Sequence, residues 1–259
     1  MIYRSTLLDF PWMDHGFSTR HAGLSSGAYS GLNLGFFCGD DPGKVSSNRR
    51  LFFAGFGIEP ERVFTVRQVH GDQVFLVDHR VSPVPAHKEA VLPEADALVT
   101  ACSGTAVATT HADCVPIILA DPIHRVVAAA HAGWRGTLHG IVRKVLLVMA
   151  EKFDTEPNQL LAAIGPAIGG CCYTVSAELY EEFQTKYHWL DLSCKKQDLA
   201  GSPTLNLPEL NKELLIQHGV LPERIDVSTL CTFCHPRDFF SYRRDQGRTG
   251  RHLSLVLLK

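Results

Sequence analysis

Residues Thr109 to Thr137 read TTHADCVPIILADPIHRVVAAAHAGWRGT. Two apolar runs, Val115 to Ala120 and Arg125 to Ala130, flank Asp121-Pro122. Proline presets φ and aspartate bonds its own backbone, so the dipeptide predicts a turn and the stretch predicts an antiparallel hairpin. With the turn centred on Pro122 and Ile123, Ala120 faces Arg125 and Cys114 faces His131. Directly opposed residues hold their Cβ atoms roughly 4.5–5.5 Å apart on one face. A thiolate and an imidazole that close can share a metal ion, or act as nucleophile and base.

The 259 residues suffice for one large domain or two small ones. A hydrophobic content of 45% with 20% charged residues is that of a soluble globular protein. The formal net charge of -2 gives no global attraction to nucleic acid or anionic membrane. The longest apolar runs, such as Val145 to Ala150, are too short to span a bilayer. The opening MIYRSTLLDFPWMDHG lacks the basic segment and apolar core of a secretory signal. A cytoplasmic, reducing setting is expected, and the eight cysteines read as thiols, metal ligands or catalysts rather than disulfides. Val81 to Pro93, with three prolines, reads as an ordered long loop inside one domain covering 1–259.

Residues 15–40 are rich in glycine and serine and predict a surface loop. Its Ser18, Thr19 and Arg20, with Asn33 nearby, are candidate donors to an anion or substrate, because glycine lets backbone approach a ligand. Asp41-Pro42 predicts a helix start, continued through Val45, Asn48, Leu51 and Phe52. Arg62 to Val69, Val74 to Val77 and Ala95 to Thr100 read as strands, with Glu94 and Asp96 at the start of the last. His70-Gly71-Asp72 is a turn that sets an imidazole at a strand end; a lone histidine carries little weight by itself. After the hairpin, Ala132-Gly133-Trp134-Arg135-Gly136-Thr137 leads into a helix capped at Thr137 or just before it. Its Leu138, Ile141, Val142, Val145 and Met149 share one buried face. A helix start beside Arg135 suits an anion, and Trp134 with the glycines equally serves a tight corner. Leu161 to Ile164, Ile225 to Leu230 and His252 to Leu258 predict strands. Ala177 to Tyr187 and Leu207 to His218 predict helices, the second stopped by Gly219.

Cys171 and Cys172, in a glycine-rich loop, read as buried thiols more readily than as nucleophiles. Cys231, Cys234 and His235 match the spacing of a covalent haem site, but that attachment belongs outside the cytoplasm. As a structural zinc site they supply three ligands where four are needed, and a redox or metal role stays open. Arg243, Arg244, Arg248 and Arg251 crowd one loop, either a solvated basic loop or a phosphate clamp.

HGFSTRHAG, SGLNLG, GDDP, RQVHGDQV, EADALVT, ADCVPIILAD, AAAHAGWRGT, AIGPAIGGCCYTV and FFSYRRDQGRTGR follow one another from Gly16 to Arg251. Together they resemble one family, long described as laccase-domain or multicopper polyphenol oxidase proteins and now regarded as purine nucleoside phosphorylases. The resemblance implies an α+β fold, a single domain of packed mixed β-sheets flanked by helices in an α/β/β/α-like sandwich. It implies a catalytic zinc on His70, Cys114 and His131; copper, which outcompetes zinc in raw affinity, could substitute there. His111 departs from the pattern, since the ADC motif is often preceded by threonine.

Two imidazoles and one thiolate leave zinc a net positive charge and an open position for an anion or water. The implied reactions are phosphorolysis of adenosine, inosine, guanosine or 5′-methylthioadenosine to free base and ribose 1-phosphate, and deamination of adenosine. Arg20, Asn33, Arg135, Arg243 and Arg244 are expected to bind substrate or phosphate. Asp113 is a candidate for proton transfer, although on an antiparallel strand it would point away from the face of Cys114. The implied partners are purine nucleosides and phosphate, with no nucleic acid or membrane, for a monomer or homodimer.

Three other readings compete. A true multicopper oxidase needs several copper centres, usually built from His-x-His pairs, and none of the thirteen histidines forms one. Copper binding at a His/Cys site is chemically reasonable all the same. A metal-free cysteine hydrolase or amidase would use Cys114 as nucleophile and His131 as base, leaving His70 no necessary role. A nucleotide sensor would bind without turnover.

Overall fold

The computed structural model describes residues 2–88, 91–190 and 201–259. One sheet holds β1 (Ile2–Tyr3), β2 (Met13–Ser18), β3 (Val63–Phe64), β6 (Thr105–His111) and β11 (His252–Leu258), in the order β1-β2-β11-β6-β3. The other holds β4 (Val74–Val77), β5 (Ala97–Thr100), β7 (Val115–Asp121), β8 (Val126–Ala132), β9 (Leu161–Ile164) and β10 (Ile225–Val227), in the order β10-β9-β7-β8-β5-β4. Both sheets mix parallel and antiparallel pairs.

Side-chain alternation along the strands stacks the layers. In β7, Val115, Ile117 and Leu119 pack with Ile141, Val145 and Met149 of α3 (Ile141–Phe153). The intervening Ile118 and Ala120 pack with Val107 and Val256 of the other sheet. That sheet turns Leu253, Leu255 and Leu257 toward Phe52 and Phe53 of α1 (Pro42–Ala54). On the α3 side lie also α2 (Trp134–His139), α4 (Ala177–Lys186) and α5 (Leu207–Gln217), through Leu138, Phe183 and Leu214. The result is the expected α/β/β/α sandwich. Strands covered on both faces need apolar residues at consecutive positions, which explains the unbroken run of β7. No described helix is long and apolar enough to cross a membrane.

Several local expectations are corrected. The hairpin exists, but Val115 pairs with Ala132 and Asp121 with Val126, so Pro116, not Cys114, faces His131. Asp121 Oδ1 accepts from the backbone N–H groups of both Ile123 (2.8 Å) and His124 (3.1 Å), and Arg125 takes φ 54°. The turn therefore spans Pro122 to Arg125. Cys114 lies two positions along from the pairing expected of it, still on the His131 face. Residues 15–18 are strand rather than loop: a Cβ on Gly16 would run into Ile2 and Phe56, so this glycine marks close packing. The helix after the hairpin starts at Trp134 and breaks at Gly140, which takes φ 87°. Thr137 is a buried acceptor for Asn211 Nδ2 (3.0 Å), not a cap. The expected strand over 62–69 shrinks to β3 and a bridge between Arg67 and Glu94. The strand expected over 225–230 stops at Val227, and β6 is a strand that the residue pattern does not announce. Of the Val81–Pro93 loop, Glu89 and Ala90 lie outside the described residues.

Two buried histidines tie strands to neighbouring backbone. His15 Nε2 accepts from Ser5 N at 3.0 Å, and His252 Nε2 accepts from Phe240 N at 2.8 Å. A ring nitrogen that accepts from an amide carries no proton, and burial pushes His15 down to about 4 and His252 to about 3. Above the ordinary value near 6.5 both states are neutral and stability is unaffected. Below it the unfolded chain takes up protons that the folded chain refuses, so stability falls with pH. His15 alone accounts for about 3 kcal/mol lost by pH 4. Denaturant midpoints are expected to drop between pH 6.5 and 4, and His15→Gln, which keeps an acceptor, to lessen the drop. A wild-type midpoint flat across that range would contradict this.

Candidate metal centre

Asp96, just before β5, organises the centre. Its carboxylate accepts from the backbone N–H groups of Val69 (3.2 Å), His70 (3.0 Å) and Gly71 (2.7 Å). The turn 69–71 wraps around this buried charge, and His70 is held at φ 60°, a left-handed conformation uncommon outside glycine. Asp96 Oδ1 also accepts from His131 Nδ1 at 2.9 Å, and Asp96 O accepts from His131 N at 2.8 Å. With Nδ1 on the carboxylate, His131 presents Nε2 to the rest of the centre. Asp113, at φ 85°, bends the chain immediately before Cys114 and β7.

One ligand atom from each of His70, Cys114 and His131 lies within 4.8 Å of the other two. The two imidazoles meet edge to face, with centroids 4.9 Å apart. A Cβ on Gly133 would sit 3.1 Å from Cys114 Sγ and 3.2 Å from His70 Cδ2, so only glycine leaves the three donors uncrowded. Burial alone would raise the Cys114 thiol, but the charge of His131 and hydrogen bonds from both histidines bring it down to about 6. Burial likewise opposes charge on His131, yet Cys114 and Asp96 raise it above the ordinary imidazole value. Burial disfavours a charged Asp96, and the bonds from His131, Gly71 and Val69 hold its carboxyl below the usual range. A thiolate and two imidazoles, one braced by a carboxylate, fit zinc or copper.

The centre opens into a cavity of about 620 Å³, within the range of small-molecule sites. Of the arginines expected to bind phosphate, Arg135 and Arg243 line it. Their guanidiniums lie over the Trp134 ring (4.5 Å) and the Tyr173 ring (5.0 Å). Arg20 and Arg244 are committed elsewhere. Arg20 donates to the carbonyls of Ser30 and Pro236, and Arg244 to those of Thr232, Phe233 and Phe239 and to Asp245. Asn33 is fully buried, accepting from Gly35 N and Arg251 N and donating to Asp40. Ser18 Oγ accepts from Leu253 N.

Asp113 borders the cavity, but its carboxylate accepts from Thr232 Oγ1 (2.6 Å), Ser241 Oγ (2.9 Å) and Arg243 N (2.7 Å). Bent out of the strand, it anchors neighbouring loops in place of a free proton acceptor. His111 is buried against Ser254 Oγ (2.7 Å), and burial beside His252 and His131 keeps it neutral. Arg251 of the candidate phosphate clamp borders the cavity too, and Arg49, Arg67 and Tyr173 border it without having been singled out as ligands. Asp96 is the largest omission, since its place opposite His131 follows only from the pairing of β5 with β8.

A family described as multi-copper polyphenol oxidoreductase laccase matches residues 14–259. A Streptomyces coelicolor protein named purine nucleoside phosphorylase is 39% identical, over 94% of this chain and 94% of the relative. A Bacteroides thetaiotaomicron protein of the same name is 33% identical, over 100% and 96%. The crystal structure of YlmD from Geobacillus stearothermophilus superposes with a TM-score of 0.90 at 34% identity, covering 98% of this chain and 94% of that one.

Proposed function

The chain belongs to the multi-copper polyphenol oxidoreductase laccase family, and from its relatives' name and its His70–Cys114–His131 centre we propose that it is a zinc-dependent purine nucleoside phosphorylase. The convergence of those three donors around the space left by Gly133 carries this reading. Zinc held there supplies positive charge and Lewis acidity. Asp96 fixes the tautomer and orientation of His131. Arg135 offers a guanidinium fork that matches phosphate oxygens and Arg243 the donors left after Nη1 bonds the Thr174 carbonyl at 2.7 Å, each guanidinium beside an aromatic ring. In phosphorolysis a phosphate oxygen bonds to the anomeric carbon of the ribose as the glycosidic C–N bond breaks. The purine departs with that electron pair and takes up a proton. Hydrolytic loss of the amino group of adenosine is a second activity that the same centre supports.

A specific observation favours a second reading. Asp96, His131 and Cys114 stand in the order of a carboxylate–histidine–nucleophile triad, which serves a metal-free hydrolase. That reading gives no purpose to the left-handed His70 or to the clearance at Gly133, so the metal reading accounts for more of the site. For a polyphenol oxidase, the groups among the described residues able to hold an ion are this one and an all-cysteine cluster.

Metal-analysed protein incubated with adenosine or inosine, with and without phosphate, tests the proposal. Phosphate-dependent formation of free base and ribose 1-phosphate is the expected product pattern, with inosine from adenosine in phosphate-free buffer. No turnover of either nucleoside by zinc-loaded protein would overturn it.

A further inference from the structure

We propose that Cys171, Cys172, Cys231 and Cys234 hold a second zinc ion, structural in role, away from the His70–Cys114–His131 centre. The four sulfurs lie within 4.8 Å of one another, with Cys172 to Cys234 at 3.3 Å and Cys171 to Cys234 at 3.7 Å. A tetrahedral ion with sulfur at about 2.3 Å sets sulfurs about 3.8 Å apart, in the middle of this spread. Cys231 and Cys234 have the two-residue spacing common in structural zinc sites. Cys231 Sγ accepts from Gly169 N at 3.3 Å, the outer-shell bond that steadies a thiolate ligand. A Cβ on Gly169 would press within 3.3 Å of Cys171 Sγ, so the loop is open where the sulfurs gather. Cys234 neighbours both Cys171 and Cys172, so the sulfurs form a cluster with no unique disulfide partner. On binding, the thiols give up their protons to solvent and four sulfur–zinc bonds form.

Such an ion would clamp two segments next to the cavity, one lining it through Tyr173 and the other bonded to its lining residue Asp113. Tyr173 follows Cys172 and carries the Arg243 guanidinium on its ring. Thr232, between Cys231 and Cys234, donates to Asp113 Oδ1 at 2.6 Å, beside Cys114. Arg244 closes the same loop through the carbonyls of Thr232 and Phe233. Spacing alone offers three ligands at 231–235; His235 instead bonds the carbonyl of Cys231, and the remaining ligands come from the Cys171-Cys172 loop.

The test counts zinc on the full chain purified under reductant, then freed of loose metal. Two ions per chain are expected for the wild type. Cys234→Ser is expected to keep one, with a lower thermal midpoint, and Cys114→Ala to keep the other. Should Cys234→Ser fail to fold, cobalt loading of Cys114→Ala decides. A sulfur-to-cobalt charge-transfer band of four-thiolate intensity in that variant needs a multi-cysteine site, which among the described residues is this cluster, and would support it. Cys114→Ala that folds, binds no zinc and shows no such band would overturn the proposal. So would a wild-type chain whose cluster cysteines are joined as disulfides in the presence of zinc. Loss of zinc in Cys234→Ser alone, with Cys114→Ala unchanged from wild type, would keep this site and instead remove the ion from the catalytic proposal.

Discussion

Cys114→Ser is expected to strip the ion from the His70–His131 site and to lower phosphorolysis on the order of 10³-fold. The exchange keeps the shape of the side chain but replaces an anionic sulfur ligand with a neutral hydroxyl. Metal polarisation is worth several kcal/mol, and each 1.36 kcal/mol corresponds to about tenfold in rate. The fold itself should survive, since β7 and its apolar contacts begin at Val115. Zinc content and single-turnover release of base are the readouts. His70→Ala divides the metal reading from the triad reading. It is expected to lose both ion and activity, whereas a cysteine hydrolase would lose little. Full activity in Cys114→Ser would sink both.

Asp96→Asn is expected to weaken zinc binding by about 10–100-fold, the effect typical of a residue behind a metal-bound histidine. Asp96 has no exposed surface and accepts from three backbone N–H groups and from His131 Nδ1. An amide presents one acceptor oxygen and an NH₂ that faces donors, so some of those groups lose their partner, at about 1–3 kcal/mol of stability. Zinc affinity measured by chelator competition, together with the thermal midpoint, reads both effects. Unchanged values for both would show that the carboxylate neither braces His131 nor holds the turn.

The metal-ligand pair was legible because the β7–β8 hairpin is apolar, local and marked by Asp121-Pro122. The expected register was off by two positions, and alternation has a period of two, so Cys114 and His131 stayed on one face. An odd shift would have separated them. Asp96 was hidden by distance along the chain. It becomes readable only once β5 is known to pair with β8, where Ala97 opposite Ala130 brings Asp96 opposite His131. Arg20, Arg244 and Asn33 have the chemistry of phosphate ligands, yet carbonyls, backbone amides and neighbouring side chains consume their donors and acceptors. No sequence pattern counts those partners. The four-cysteine cluster escaped for a related reason, because its halves lie on two distant loops and each half alone falls short of a coordination shell.

β11 lies between β2 and β6, yet it is made after both. During synthesis the two neighbours emerge from the ribosome with facing rows of backbone amides and carbonyls unpaired, and they stay so until residues 252–258 clear the exit tunnel. A nascent chain stalled before His252 therefore carries two open strand edges, the surface that recruits other strands or a chaperone. Completion of this sheet waits for β11 to emerge, and until then the β7–β8 hairpin beside it has only part of its packing partner.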